Sequence, residues 1–255
     1  MQIESKFDFN TIPENVPFNT RLMISLTSDE NVDHKDQPLN IAVVLDRSGS
    51  MSGDKIEYVK AATKRLASQL NQDDILSLTI YDDVVDKLVP SSKMKDMRGF
   101  DSAVDSIQSR GMTFLSGGYN EGCKAAKENK SDSNISRVML LTDGLANEGI
   151  TDPDQLASIA LKANNQGITT STIGVGEDYD EFLLGKMAEN GGGGTYYIEN
   201  PDDAPSVFQE ELGYLKSLSA TQVEVEFVPK DPELWFDQLN TYRVNDDHSY
   251  SLGDL

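Results

Sequence analysis

Five consecutive apolar residues, Ile41 to Leu45, run without a polar break into Asp46-Arg47-Ser48-Gly49-Ser50. A strand with one wet face alternates apolar and polar side chains; a strand covered on both faces reads as a continuous apolar run. This stretch therefore predicts an interior strand of a parallel sheet with helices on either side. It also holds an aspartate and two serines out at its tip.

The rest of the chain repeats the pattern. Strand-like segments occur at Ile75 to Tyr81, Val84 to Val89, Val138 to Thr142, Ile168 to Val175 and Thr195 to Ile198. Helical patterns lie between them. Ile56, Val59, Ala62, Leu66 and Leu70 recur at three- and four-residue spacing over Lys55 to Leu70, and Gly117 to Asn129 is rich in Ala and Lys. Asp152-Pro153-Asp154-Gln155 predicts a helix start, with Asp as cap and Pro in the first turn. Asn200-Pro201-Asp202-Asp203 opens a last helix, with Val207, Phe208, Leu212 and Leu215 as its buried face. Only Asp82-Asp83 separates the second and third strands, too little for a crossover helix, so that pair reads as a hairpin and an antiparallel edge. The expected fold is a doubly wound, mostly parallel six-stranded α/β sheet over residues 39–218. Gly191 to Gly194 reads as a helix C-cap and loose loop.

The two ends differ. Arg21 to Thr27 and Thr221 to Val228 alternate, so 1–38 and 219–255 are expected to be β segments that pair with each other.

Charge narrows the partners. Lys plus Arg number 22 and Asp plus Glu 43, a net charge of −21. Such a surface repels phosphate backbones and anionic lipid, which argues against nucleic acid. No run approaches the ~18 apolar residues of a membrane span, and MQIESKFDF carries no signal pattern. A removed leader would leave the same appearance, so cytoplasmic and extracellular or cell-surface locations both stay open. The lone Cys123 excludes an internal disulfide and reads as a helix-borne thiol, with only His34 and His248 as imidazole partners.

In an open α/β sheet, ligands sit beyond the carboxyl ends of the strands. Three loops there carry hard oxygen groups: Asp46, Ser48 and Ser50 after the first strand; Thr113 in Gly111 to Gly118; and Asp143 after VMLLT. Each alone reads equally as a turn former or cap. Together they make two carboxylates and three hydroxyls with no His or Cys nearby, a donor set for magnesium, or for manganese or calcium, rather than zinc or copper. Two aspartates balance a dication and leave it electrophilic enough to take one more carboxylate from outside.

The sequence resembles the von Willebrand factor type A domain family, in particular its bacterial members, through LDRSGSM, RGMTFLSGG and LLTDGLAN. The family's metal-ion-dependent adhesion site is Asp-x-Ser-x-Ser with a distant Thr and a distant Asp, matched by Asp46, Ser48, Ser50, Thr113 and Asp143. The resemblance implies the strand order three-two-one-four-five-six and a partner protein presenting Glu or Asp to the metal. It also implies a final helix, Pro201 to Ser217, that shifts in some members. Met112 and Phe114 replace the family's usual neighbours of the threonine. Asp54 is the one match for a second metal site and reads as a helix cap. Arg47, Met51, Phe114, Leu145, Asn147 and Glu148 are candidate rim residues. Two other readings stand beside the binding module. One is a magnesium phosphatase with an aspartate nucleophile, which expects an acid where Ser48 stands; the other is a structural domain with an unused site.

Overall fold

The computed structural model describes residues 2–11, 13–14, 16–27, 37–94, 97–231, 233–245 and 248–255; His34 lies outside them. An antiparallel ribbon of β1 (Gln2–Phe7) and β2 (Leu22–Thr27) comes first. Then β3 (Leu39–Asp46), β4 (Ile75–Tyr81), β5 (Val85–Lys93), β6 (Ile135–Thr142), β7 (Ile168–Val175) and β8 (Gly192–Ile198) form one sheet in the order β5-β4-β3-β6-β7-β8. All its ladders are parallel except β4–β5. This is the expected six-stranded sheet with one antiparallel edge. The chain ends in a small sheet of β9 (Val223–Val225), β10 (Arg243–Val244) and β11 (Tyr250–Gly253).

Alternate residues of β3 feed two separate cores. Leu39, Ile41, Val43 and Leu45 pack with α1 (Asp54–Ser68), α2 (Met97–Asp105) and α6 (Ala204–Ser217). Ala42 and Val44 pack with α3 (Leu115–Glu128), α4 (Pro153–Asn164) and α5 (Glu181–Gly191). Period-two geometry therefore explains the unbroken apolar run: both faces of β3 are interior. Asp152 caps α4 as expected, its carboxylate accepting the Gln155 N–H at 2.9 Å. Among the described residues no helix is long and apolar enough to cross a membrane.

Several expectations change. The two chain ends do not pair with each other among the described residues: β2 pairs with β1, and β9 pairs with β11. Local antiparallel partners, each with alternating residues, satisfy both strands. β5 runs on to Lys93 because its edge position tolerates Pro90 and the polar residues that follow. Gly192 does cap α5 in a left-handed conformation, but β8 starts there, so Gly192 to Gly194 are strand rather than loose loop. A side chain at Gly193 would strike the Thr170 carbonyl at 2.2 Å, which is why a glycine lines this edge. Asp54 makes no capping bond; Gly53 precedes the helix and Asp54 lies inside its first turn. There its charge faces the positive end of the helix dipole.

Close packing of α3 on β3 depends on Gly122, where a Cβ would lie 2.1 Å from Val44 Cγ2. Gly122→Ala is expected to destabilise the protein by about 1–3 kcal/mol through overpacking. Gly213→Ala, in α6 with nothing within 4 Å of its Cβ, is expected to stabilise by about 1 kcal/mol. Urea denaturation of the two variants checks the opposite signs.

Candidate metal centre

The central strands β3 and β6 are hydrogen-bonded neighbours, Leu45 opposite Leu141. Asp46 and Asp143 therefore leave adjacent strand ends, and both are fully buried. Ser48 and Thr113 are buried at 1% exposure each, and Ser50 is exposed at the surface of the loop. Ser48 Oγ and Ser50 Oγ are 3.1 Å apart.

Backbone hydrogen bonds sew the three loops together. Arg110 N–H donates to the Arg47 carbonyl at 2.8 Å, and Gly49 N–H to that of Gly111 at 3.1 Å. Gly111 has φ +70°, and a Cβ there would meet Asp83 Oδ1 at 2.0 Å, so the approach requires glycine. The Thr113 carbonyl accepts from Asn147 and Glu148 N–H, each at 3.3 Å, and Thr113 N–H donates to Asn147 Oδ1 at 2.8 Å. The structure thus brings all five sequence-predicted residues to one end of the sheet.

Asp46 is held by protein donors. Oδ1 accepts the Ser48 N–H at 2.8 Å; Oδ2 accepts Thr142 Oγ1 at 2.5 Å and the Tyr81 hydroxyl at 3.3 Å. Burial raises its pKa from 3.8 to about 6; the hydrogen bonds from Thr142 and Ser48 work against that, and the Asp143 charge adds to it. Asp143 Oδ1 accepts the Leu145 N–H at 3.3 Å, and Oδ2 lies 3.3 Å from Lys55 Nζ.

Thr142, Tyr81 and Lys55 were missed by motif reading. Tyr81 carried a usable signal, since it ends the strand next to β3, and Thr142 directly precedes Asp143.

Among the described residues no three His, Cys, Asp or Glu gather at metal-binding range. A metal here must draw on hydroxyls and water beyond the two carboxylates; Ser48, Ser50 and Thr113 would offer the hydroxyls. The donor set is hard oxygen throughout and fits magnesium, manganese or calcium. Buried anions also call for a counter-charge, because ions left unpaired in a low-dielectric interior cost several kcal/mol each.

Of the candidate rim residues, Met51 is fully buried in the core and Arg47 is nearly so. Arg47 pairs with Asp82 at 2.9 Å and Asp86 at 2.7 Å, while Arg110 reaches Asp82 at 2.6 Å. That cluster clips β3, the β4–β5 turn and the Thr113 loop together. Leu145 at 42% exposure and Met112 at 52% form the apolar part of the open surface, with Asn147 exposed beside them.

Residues 40–210 match the family model described as the von Willebrand factor type A domain. The uncharacterised protein sll0103 of Synechocystis is 28% identical over 205 residues, 80% of this chain and 48% of the relative. The chain thus spans about half the length of that relative. Among solved structures, a von Willebrand factor type A protein from Catenulispora acidiphila superposes with a TM-score of 0.61 at 20% identity, covering 73% of this chain and 45% of that one. Proximal thread matrix protein 1 from the mussel byssus, in a form with a zinc-occupied metal-ion-dependent adhesion site, gives 0.56 at 16% identity, covering 74% and 50%.

Proposed function

This chain belongs to the von Willebrand factor type A domain family, and from that premise we propose that it is a protein-binding module using a divalent cation to hold an acidic partner. Ser48, Ser50 and Thr113 are the hydroxyl ligands in this reading. Asp46 and Asp143 are the anions, Asp46 acting chiefly through water because Ser48, Thr142 and Tyr81 already donate to both its oxygens. When bound, the cation supplies one open position for an oxygen ligand from outside. Magnesium is the assigned ion, with manganese or calcium as the other hard cations; the zinc in the mussel protein's site supports a divalent ion in this fold.

One observation carries the reading: two fully buried carboxylates leave neighbouring strand ends, and the loops that hold the buried Ser48 and Thr113 are hydrogen-bonded to each other at that end. We assign binding to residues 39–218, with 1–38 and 219–255 as flanking β segments. We assign no catalysis. Burial pushes the thiol of Cys123, on α3, up to about 11, which disfavours the thiolate a nucleophile needs. An aspartate-based phosphatase needs an acid where Ser48 stands.

Met112, Leu145 and Asn147 would contact the residues around a partner's carboxylate, so anchoring and selectivity are separate tasks. Peptide display on magnesium-loaded protein is expected to select sequences carrying Glu or Asp that are released by EDTA. Thr113→Ala should select none of them. Binders indifferent to chelator, or without acidic residues, would overturn the reading.

A further inference from the structure

Lys55 stands in the first turn of α1, where a cation opposes the helix dipole and gains nothing locally. Its surroundings explain the placement. Its side chain is 19% exposed, and Nζ sits between two carboxylates: Asp178 Oδ1 at 2.6 Å and Asp143 Oδ2 at 3.3 Å. Asp143 is fully buried and Asp178 is 69% exposed, so one ammonium bridges the interior of the site to its surface. The path for the stem is built in. A Cβ at Gly176, at φ +81°, would lie 2.4 Å from Lys55 Cε, so the bare glycine makes room for the lysine.

We propose that Lys55 is a tethered monovalent counter-ion of Asp143 that competes with the divalent cation and retires to Asp178 when that cation binds. The inference rests on the metal reading above and concerns how tightly the site holds its ion. Asp143 Oδ2 is the atom at issue, since its other oxygen already accepts from Leu145. A dication balanced by Asp46 and Asp143 is formally neutral, and so is the Lys55–Asp178 pair beside it. Lys55 thus lowers the site's cation affinity without leaving an uncompensated charge beside the loaded ion. Asp178 sets the balance by offering the ammonium a second, solvated position.

Titration calorimetry with magnesium and manganese on the full chain tests this through variants with opposite expected signs. Lys55→Met should tighten cation binding about tenfold. Lys55→Arg, which keeps the charge, should stay within about twofold of wild type. Asp178→Asn removes the retreat and should weaken binding about three- to tenfold. Melting in EDTA establishes that each variant is folded; if Lys55→Met is not, the weakening in Asp178→Asn and its absence in Lys55→Arg decide the matter. Wild-type protein that binds no cation would overturn the metal reading and this inference with it. Wild-type protein that binds, with Lys55→Met unchanged or weaker or Asp178→Asn unchanged, would overturn the counter-ion role alone.

Discussion

Asp46→Asn should abolish the rise in melting temperature that magnesium gives the wild-type protein, while costing the chelated protein little or nothing. The side chain is fully buried at the end of β3. Burial is also the main reason its pKa rises from 3.8 to about 6. A carboxyl whose folded pKa is raised contributes stability that is full below about pH 4 and lost as pH rises through about 6. Above that pH the chelated protein carries a buried charge, at a cost on the order of 3 kcal/mol. Asparagine keeps the shape and an oxygen for Thr142 without the charge. In EDTA at pH 7.5 the variant should therefore melt no lower than wild type. With cation at a hundredfold excess over its dissociation constant, wild type should gain about 2.7 kcal/mol, or roughly 5–10 °C. The gain should shrink from pH 7.5 to pH 5, as protons compete for Asp46. A wild-type protein indifferent to millimolar magnesium and manganese, or an Asp46→Asn variant with an undiminished shift, would sink the metal assignment.

The parts of this molecule legible in its sequence are those where one physical constraint dominates. Double burial wrote β3 and the second half of β6 as apolar runs, and the two-residue Asp82-Asp83 link left only a hairpin for β4 and β5. The helices α2 and α5 are not delimited in the sequence, for local reasons. α2 is nine residues long and buries just Phe100 and Val104, too short a period to stand out. α5 is implied only by its C-cap at Gly191 to Gly194, because Gly185 at its centre weakens the helical pattern although Leu183, Leu184, Met187 and Ala188 are buried. β6 begins three residues earlier than its apolar run because Ile135, Ser136 and Arg137 are also interior. The five oxygen residues were legible because strand ends fix where such groups meet. Their supporting groups were harder to read: Tyr81 and Thr142 are marked only by their places at the ends of β4 and β6, and Lys55 carries no spacing rule that links it to Asp143.

Glu211→Leu is expected to be among the most damaging single changes in the protein, and the reason lies on the face of the sheet under α6. Arg137 of β6 is 0% exposed, and its Nε lies 3.3 Å from Glu211 Oε1. Its Nη1 donates to Ser171 Oγ at 3.2 Å and to the Gly192 carbonyl at 3.3 Å. Ser171 Oγ donates to Glu211 Oε1 and the Tyr196 hydroxyl to Oε2, each at 2.7 Å. Removing the glutamate strands a guanidinium in the core, and breaking a buried pair in this way costs about 3–5 kcal/mol. The melting temperature should fall by roughly 6–20 °C, and α6 amides should exchange faster, because Glu211 is the polar tie of that helix to β6, β7 and β8. The double variant Arg137→Met/Glu211→Leu should recover most of the loss, since an apolar pair of similar volume suits such a site. None of these side chains bonds to Asp46 or Asp143, so the magnesium-induced shift should survive in both variants, measured relative to each chelated form. A single variant within 1 kcal/mol of wild type would mean that Arg137 does not depend on Glu211 for its charge balance, and a double variant no better than the single would locate the damage in packing instead.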